Sequence, residues 1–249
     1  HDGKLFRKDY YTYDKEEDFE SIPWENRKNT AVWRGASTGR GTTFENNIRL
    51  LISKWSMKEE RDEDGELFVN AGINKFNLRP RKHPDFEFLS TIILEDIDIK
   101  EVEYMTPLEQ AQYKYIFDLP GHTCAYRLSW QMFSGSVILR YPCEYKLWFF
   151  DQLKPWVHYI PIEKEFCIEE IKSKIKWCKE NDEKCREIAE NAKKFAKQYL
   201  SRDGILNYLQ KLMWELYEIN KVEYCSQSLH DKQITSINGY LDSFKKRKE

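Results

Sequence analysis

Tyr113-Lys114-Tyr115-Ile116-Phe117-Asp118-Leu119-Pro120-Gly121 is the stretch on which the fold turns. Its first seven residues are mostly aromatic and branched, the composition of a buried strand, and Pro120-Gly121 breaks it. Ala125–Phe133 then reads as a helix and Ser136-Val137-Ile138-Leu139 as the next strand. Strand, glycine turn, helix, strand is a βαβ unit, which builds parallel sheets.

Upstream the pattern recurs. Ala31-Val32-Trp33-Arg34 is a short buried-strand candidate ending at Gly35, and Ala36–Thr43 is a loop of small and polar residues. Ile48, Leu51, Ile52 and Trp55 fall at helical spacing, and Leu67–Gly72 reads as a further strand closed by glycine. Glu59–Glu66 is a charged surface loop, and Ile92-Ile93-Leu94 a further strand candidate. Thr106-Pro107-Leu108-Glu109 carries the signals of a helix start: a hydroxyl cap, proline at the first position and glutamate at the third. Beyond Pro161 the apolar residues form helical stripes, such as Ile168, Ile171 and Ile175, then Ile188, Ala192 and Phe195, then Leu209, Leu212 and Leu216. The reading is α/β with a helical C-terminal third.

The 249 residues suit one large domain or two small ones, and 40 Lys+Arg nearly balance 42 Asp+Glu. Such a balance supplies no global field for nucleic acid, and no apolar run reaches the ~20 residues that span a bilayer. The basic tail Lys245–Lys248 reads as a solvated end. The six cysteines show no C-x-x-C pair and no zinc spacing, so a reduced compartment fits best, with long-range disulfides left open. Cys178 and Cys185, seven apart, lie too far apart for a local disulfide along one helix. The chain opens at His1 without methionine, so a preceding segment is expected.

The chemistry starts at Gly121. A strand that ends in Pro-Gly and opens into a helix leaves unpaired backbone N–H groups aimed at one spot, a receptor for phosphate. His122, Thr123, Cys124, Ala125 and Tyr126 would form that turn, and Arg127 would add a forked cation for a diphosphate. An ordinary βα turn, with Arg127 ion-paired on the surface, fits the local pattern equally well. Gly35, Ala36, Ser37 and Thr38 form a second candidate loop, within reach of Arg49; a flexible βα loop is again an equal alternative. The two loops together fit a crevice at the carboxyl ends of parallel strands. There is no Gly-x-Gly-x-x-Gly, which argues against a dinucleotide enzyme. His158 reads as packed beside aromatics, His83 and His230 have no spaced partners, and Glu95, Asp96, Asp98 and Glu101 read as a solvated acidic face.

Several ordered motifs resemble one family. Pro23-Trp24-Glu25 with Asn29–Gly35 resembles the PWE-x-K-N-S-T-A-x-[WF]-R-G segment of glycosyltransferase family 90, the protein O-glucosyltransferases and capsule-associated xylosyltransferases. Tyr113–Phe117 with Gly121–Leu128, then Ser134–Leu139, Glu144 and Leu153–Pro161, follow that family's order and spacing, so the likeness runs over about residues 22–220. It implies a GT-B-like arrangement of two Rossmann-type lobes with the donor between them. The implied division is an N-terminal, acceptor-side lobe over 1–105, a nucleotide-sugar lobe over 106–220 and a helical tail over 221–249. The implied activity is inverting, metal-independent transfer of glucose or xylose from a UDP-sugar to a hydroxyl of a protein or glycan, with no cofactor. Ser37 and its neighbours with Arg49 would touch the donor, His122–Tyr126 would hold the diphosphate, Arg127 would neutralise it, and Glu144 would meet the ribose hydroxyls. The family's general base, an Asp in a D-I-x-x-P segment, has no counterpart before Pro23, and Asp2, Asp9 and Asp14 are poor stand-ins. A sugar-nucleotide- or glycan-binding module without turnover is therefore the alternative, and a carboxylate-pair glycosidase a distant third. Without a signal or retention tetrapeptide, the expected compartment is the cytoplasm, or the endoplasmic reticulum or Golgi lumen where a signal peptide has been removed.

Overall fold

A computed structural model describes residues 19–39, 44–76, 98–121 and 126–224, the last four by backbone alone. Five strands form, four of them where the apolar runs predict them: β1 Lys28–Ala36, β2 Val69–Lys75, β3 Tyr113–Asp118 and β4 Val137–Arg140, with the two-residue β5 Ile160–Pro161 unforeseen. The helices are α1 Ile48–Ser56, α2 Pro107–Gln110, α3 Arg127–Phe133, α4 Ile168–Glu180, α5 Asp182–Phe195 and α6 Arg202–Tyr224. The start of α2 is a complete capping box, with Thr106 and Glu109 each accepting from the other's main chain.

The sheet runs β2-β1-β3-β4-β5 with every pair parallel. Parallel strands are buried on both faces, and these are. Ala31 and Trp33 of β1, Tyr115 and Phe117 of β3, and Val137 and Leu139 of β4 point to one face, where they pack with α1, α4 and the first half of α5. Val32, Ile116 and Ile138 point to the other, against α3 and the end of α5. Trp33, Tyr115 and Phe117 are fully inaccessible, each contributing roughly 2–3 kcal/mol of burial.

The described residues on both sides of 105/106 share one Rossmann-type sheet, since β1 is hydrogen-bonded to β3. Gly72 does not close β2 but lies inside it, because a side chain there would meet Val102 Cγ2 at 2.4 Å as the 102 segment crosses. The division into compact units falls at Ser201/Arg202, ahead of the expected tail at 221, so α6 belongs with the second unit. Ile92–Leu94, Glu95, Asp96, His83, His230, Cys124, Cys225 and the basic tail lie outside the described residues.

The strand order places the functional crevice. From β1 the chain crosses to β2 on one side, and from β3 to β4 on the other, so β1 and β3 flank the switch point of a 2-1-3-4-5 sheet. In doubly wound folds ligands bind there, outside the carboxyl ends of the strands.

Candidate functional site

The loop after β1 is held by the start of α1. Asn47 caps that helix, its Oδ1 accepting from the amides of Arg49 (3.2 Å) and Leu50 (3.4 Å). Its Nδ2 donates to the carbonyl of Ser37 at 3.1 Å. Gly39 is required beside it, since a Cβ there would stand 1.9 Å from Asn47 Oδ1. The amide of Ser37 donates to the carbonyl of Lys75 at 3.1 Å, so this buried serine is anchored to both neighbours of its loop.

Arg49 projects from the first turn of α1 across the switch point. Its Nε donates to the carbonyl of Pro120 (2.9 Å) and Nη2 to that of Leu119 (3.0 Å). Its Nη1 donates to the carbonyl of Ala36 (3.0 Å) and to Thr38 Oγ1 (2.8 Å). One planar fork thus ties the loop after β1 to the loop after β3, a geometry that a lysine ammonium does not reproduce. Arg49 is 4% exposed and commits four of its five N–H groups to the two loops, so it acts as a strut between them; its contact with a donor stays an expectation. Burial pushes its pKa down to about 9, the charge of Arg127 adds to this, and Asp118 opposes it.

Arg127 opens α3 and is only half-buried. Its guanidinium turns inward: Nη1 donates to the carbonyl of Arg34 at 2.7 Å, and its carbon lies 5.3 Å from the centre of the Trp33 ring. Arg49 lies over the same ring at 5.4 Å. Gly35 makes this possible, because a Cβ there would stand 2.6 Å from Arg127 Nη2 and 2.7 Å from Trp33 Cζ2. Gly121 is buried and Tyr126 exposed, while His122, Thr123, Cys124 and Ala125 lie outside the described residues. The expected role of their amides therefore stays an expectation, and Tyr126, at the N-cap of α3, makes no side-chain cap.

Two further residues complete the electrostatics, and sequence reading passed over both. Asp118 and Arg140 end β3 and β4 and face each other in register. Arg140 Nε stands 3.4 Å from Asp118 Oδ2, and the guanidinium also lies over Phe150 at 4.0 Å and Tyr159 at 5.2 Å. Burial raises the pKa of Asp118, and Arg140, Arg127 and Arg49 in turn pull it down. The available signal was a charge closing each of two successive apolar runs. Arg140, Arg127 and Arg49 thus all act on one carboxylate at the carboxyl edge of the sheet. Positive charge gathered in this way is chemistry that suits an anion.

Next to the arginines opens a cleft of about 740 Å³, lined among others by Ile48, Pro120, Tyr141, Pro142, Glu144 and Phe166. Glu144 is exposed on its wall, on the loop after β4. Its apolar walls and scattered polar groups are those of a small-molecule site.

Residues set aside in the sequence behave accordingly. His158 packs on Phe195 at 5.1 Å, and its Nδ1 accepts from the amide of Lys154 at 3.0 Å. Burial, then Lys154, hold its pKa below the usual range. Asp98 pairs with Lys54 at 2.7 Å, and Glu101 accepts from the amide of Phe76 at 2.8 Å. Cys143, Cys167, Cys178 and Cys185 are free thiols; the last two meet across the turn between α4 and α5, where Cys185 Sγ donates to the carbonyl of Cys178 at 3.5 Å. Among the described residues no group of three or more His, Cys, Asp or Glu side chains converges, and no helix is long and apolar enough to cross a membrane.

Fold and crevice together define a doubly wound α/β protein with arginines gathered at its switch point. The family model for glycosyl transferase family 90 matches residues 7–232, and the chain belongs to that family. An uncharacterized protein, 179R, of Invertebrate iridescent virus 6 is 41% identical over 224 residues, which is 84% of this chain and 19% of the viral protein. Protein O-glucosyltransferase 2 of Danio rerio is 28% identical over 79% of this chain and 34% of its own length. Human protein O-glucosyltransferase 1 is 26% identical over 78% and 43%. The chain thus spans less than half the length of these relatives. Among solved structures, the Anabaena protein Alr3699/HepE in complex with UDP superposes with a TM-score of 0.46 at 13% identity, over 86% of this chain and 56% of that one.

Proposed function

We propose that this chain carries the nucleotide-sugar site of an inverting, metal-independent glycosyltransferase that moves glucose or xylose from a UDP-sugar to a hydroxyl of a protein or glycan. The observation that carries the reading is the convergence of Arg49 and Arg127 on the Trp33 ring beside the loops after β1 and β3, with Arg127 the one of the two that retains exposure there. In glycosyl transfer negative charge builds on the departing diphosphate, and fixed positive charge stabilises the transition state more than the ground state. Arg127 would neutralise that charge, Arg49 and Asp118 would hold the field in place, and Glu144 would meet the ribose from the wall of the cleft. Membership of the family supports the reaction class.

The acceptor hydroxyl needs a base within hydrogen-bond reach. Asp118 does not qualify, being buried and engaged with Arg140. That observation keeps a second reading in view, a module that binds the sugar nucleotide without turning it over. A UDP-release assay against a panel of UDP-sugars decides between them. Release that disappears in Arg127→Ala is the expected result; UDP binding with no release from any donor favours the binding module.

A further inference from the structure

Trp33 carries an unusual combination. Its side chain is fully inaccessible, its indole Nε1–H has no hydrogen-bond partner among the described residues, and two guanidiniums lie over its ring. A buried, unpaired N–H is a cost that phenylalanine on the same face of β1 would not incur, although its smaller ring would leave a cavity. What tryptophan alone supplies is the stronger aromatic quadrupole, and the cations it faces need one. Arg49 and Arg127 repel each other, as the effect of Arg127 on Arg49 records. Gly35 preserves the contact by leaving the space between ring and guanidinium empty, where a Cβ would stand 2.7 Å from one and 2.6 Å from the other.

From this we infer that Trp33 is a positioning residue of the donor site: its indole is the common seat that keeps the Arg127 and Arg49 guanidiniums close together and pointed at one anion. The inference rests on the diphosphate reading above. It assigns to the core of β1 a share in selecting a nucleoside diphosphate over the uncharged nucleoside, although the ring itself touches no ligand. A tryptophan present only to fill the core would have no such effect.

The test is isothermal titration of the whole chain with UDP and with uridine. For the unaltered protein UDP binds more tightly than uridine. In Trp33→Phe that preference falls about tenfold, which corresponds to about 1.4 kcal/mol, beyond the fall in melting temperature that any large-to-small core change brings. Should Trp33→Phe fold poorly, Gly35→Ala wedges a methyl group between ring and guanidinium and is expected to lower the same ratio. A variant that keeps the full UDP preference, with or without a lower melting temperature, makes Trp33 a core residue only and overturns the inference. Equal binding of UDP and uridine by the unaltered protein instead removes the diphosphate reading, and the inference with it.

Discussion

Arg127 Nη1 donates to the main-chain carbonyl of Arg34 at 2.7 Å, across 93 residues of sequence. The bond joins the helix after β3 to the end of β1, so the guanidinium sits over the switch point rather than in bulk water. Arg49 spans the same gap from the other side, with Leu119 and Pro120 as its partners. Two cations that arrive from helices on opposite faces of the sheet thus converge on one crevice.

Because Arg49 is a strut, replacing it is expected to weaken the fold first. Arg49→Met leaves four oxygens of the two loops without their donor, and a loss of about 2–4 kcal/mol is expected. Arg49→Lys recovers only part of this, since one ammonium cannot reach all four. Chemical denaturation of both variants checks the order: wild type, then lysine, then methionine.

Asn47 joins capping to loop placement. Asn47→Ala removes the acceptor for the Arg49 and Leu50 amides and the bond to Ser37, with an expected cost of about 1–2 kcal/mol. In a domain of this size that is a fall of roughly 3–8 °C in melting temperature. Thermal unfolding followed by circular dichroism measures it, and a fall below 1 °C would mean the loop does not depend on the cap.

Asp118 makes a prediction about pH. Burial raises its folded pKa above the unfolded value, so the folded state holds this proton where the unfolded state has released it. The associated stability is present in full below the unfolded value, about 3.9, and is lost as pH rises through the raised folded value. Asp118→Asn has no such dependence. Its stability relative to wild type should therefore climb as pH rises through that window, whatever constant penalty comes from leaving Arg140 unpaired. Asp182 should behave in the opposite sense. Burial works against its ionised form, but the hydrogen bonds from Lys114 and Trp24 and the charge of Lys114 prevail and hold its pKa down. Its contribution is present above the unfolded value and lost as pH falls through the folded one. Unfolding free energies of Asp118→Asn, Asp182→Asn and wild type, measured from pH 3 to 7, check both signs.

Much of the scaffold was legible because its signals are local. The Thr106–Glu109 box, the break at Pro120-Gly121 and the stripe of α1 each depend on residues within one or two turns. The pairing of β1 with β3 was not, since it is decided by helices packing on both faces from distant parts of the chain. Gly72 misled for a similar reason: glycine after an apolar run suggests an end, and only the crossing of Val102 explains it within a strand. Arg127 and the loop around Ser37 stand out in the sequence by their place after a strand. That four main-chain and hydroxyl oxygens close around Arg49 is not legible there, because they come from two distant loops. Asn47 was recoverable as the capping residue just before Ile48. Asp118 and Arg140 acquire meaning only when β3 and β4 lie side by side.

The proposed function requires the converging arginines to receive a diphosphate. Titration of UDP into wild type and Arg127→Ala tests it most directly. The expected result is measurable UDP binding by wild type and a loss of about 1.5–3 kcal/mol in the variant, roughly ten- to more than a hundredfold, beyond a modest fall in melting temperature from the lost bond to Arg34. Equal affinity of the two proteins for UDP, or no binding by either, would contradict it.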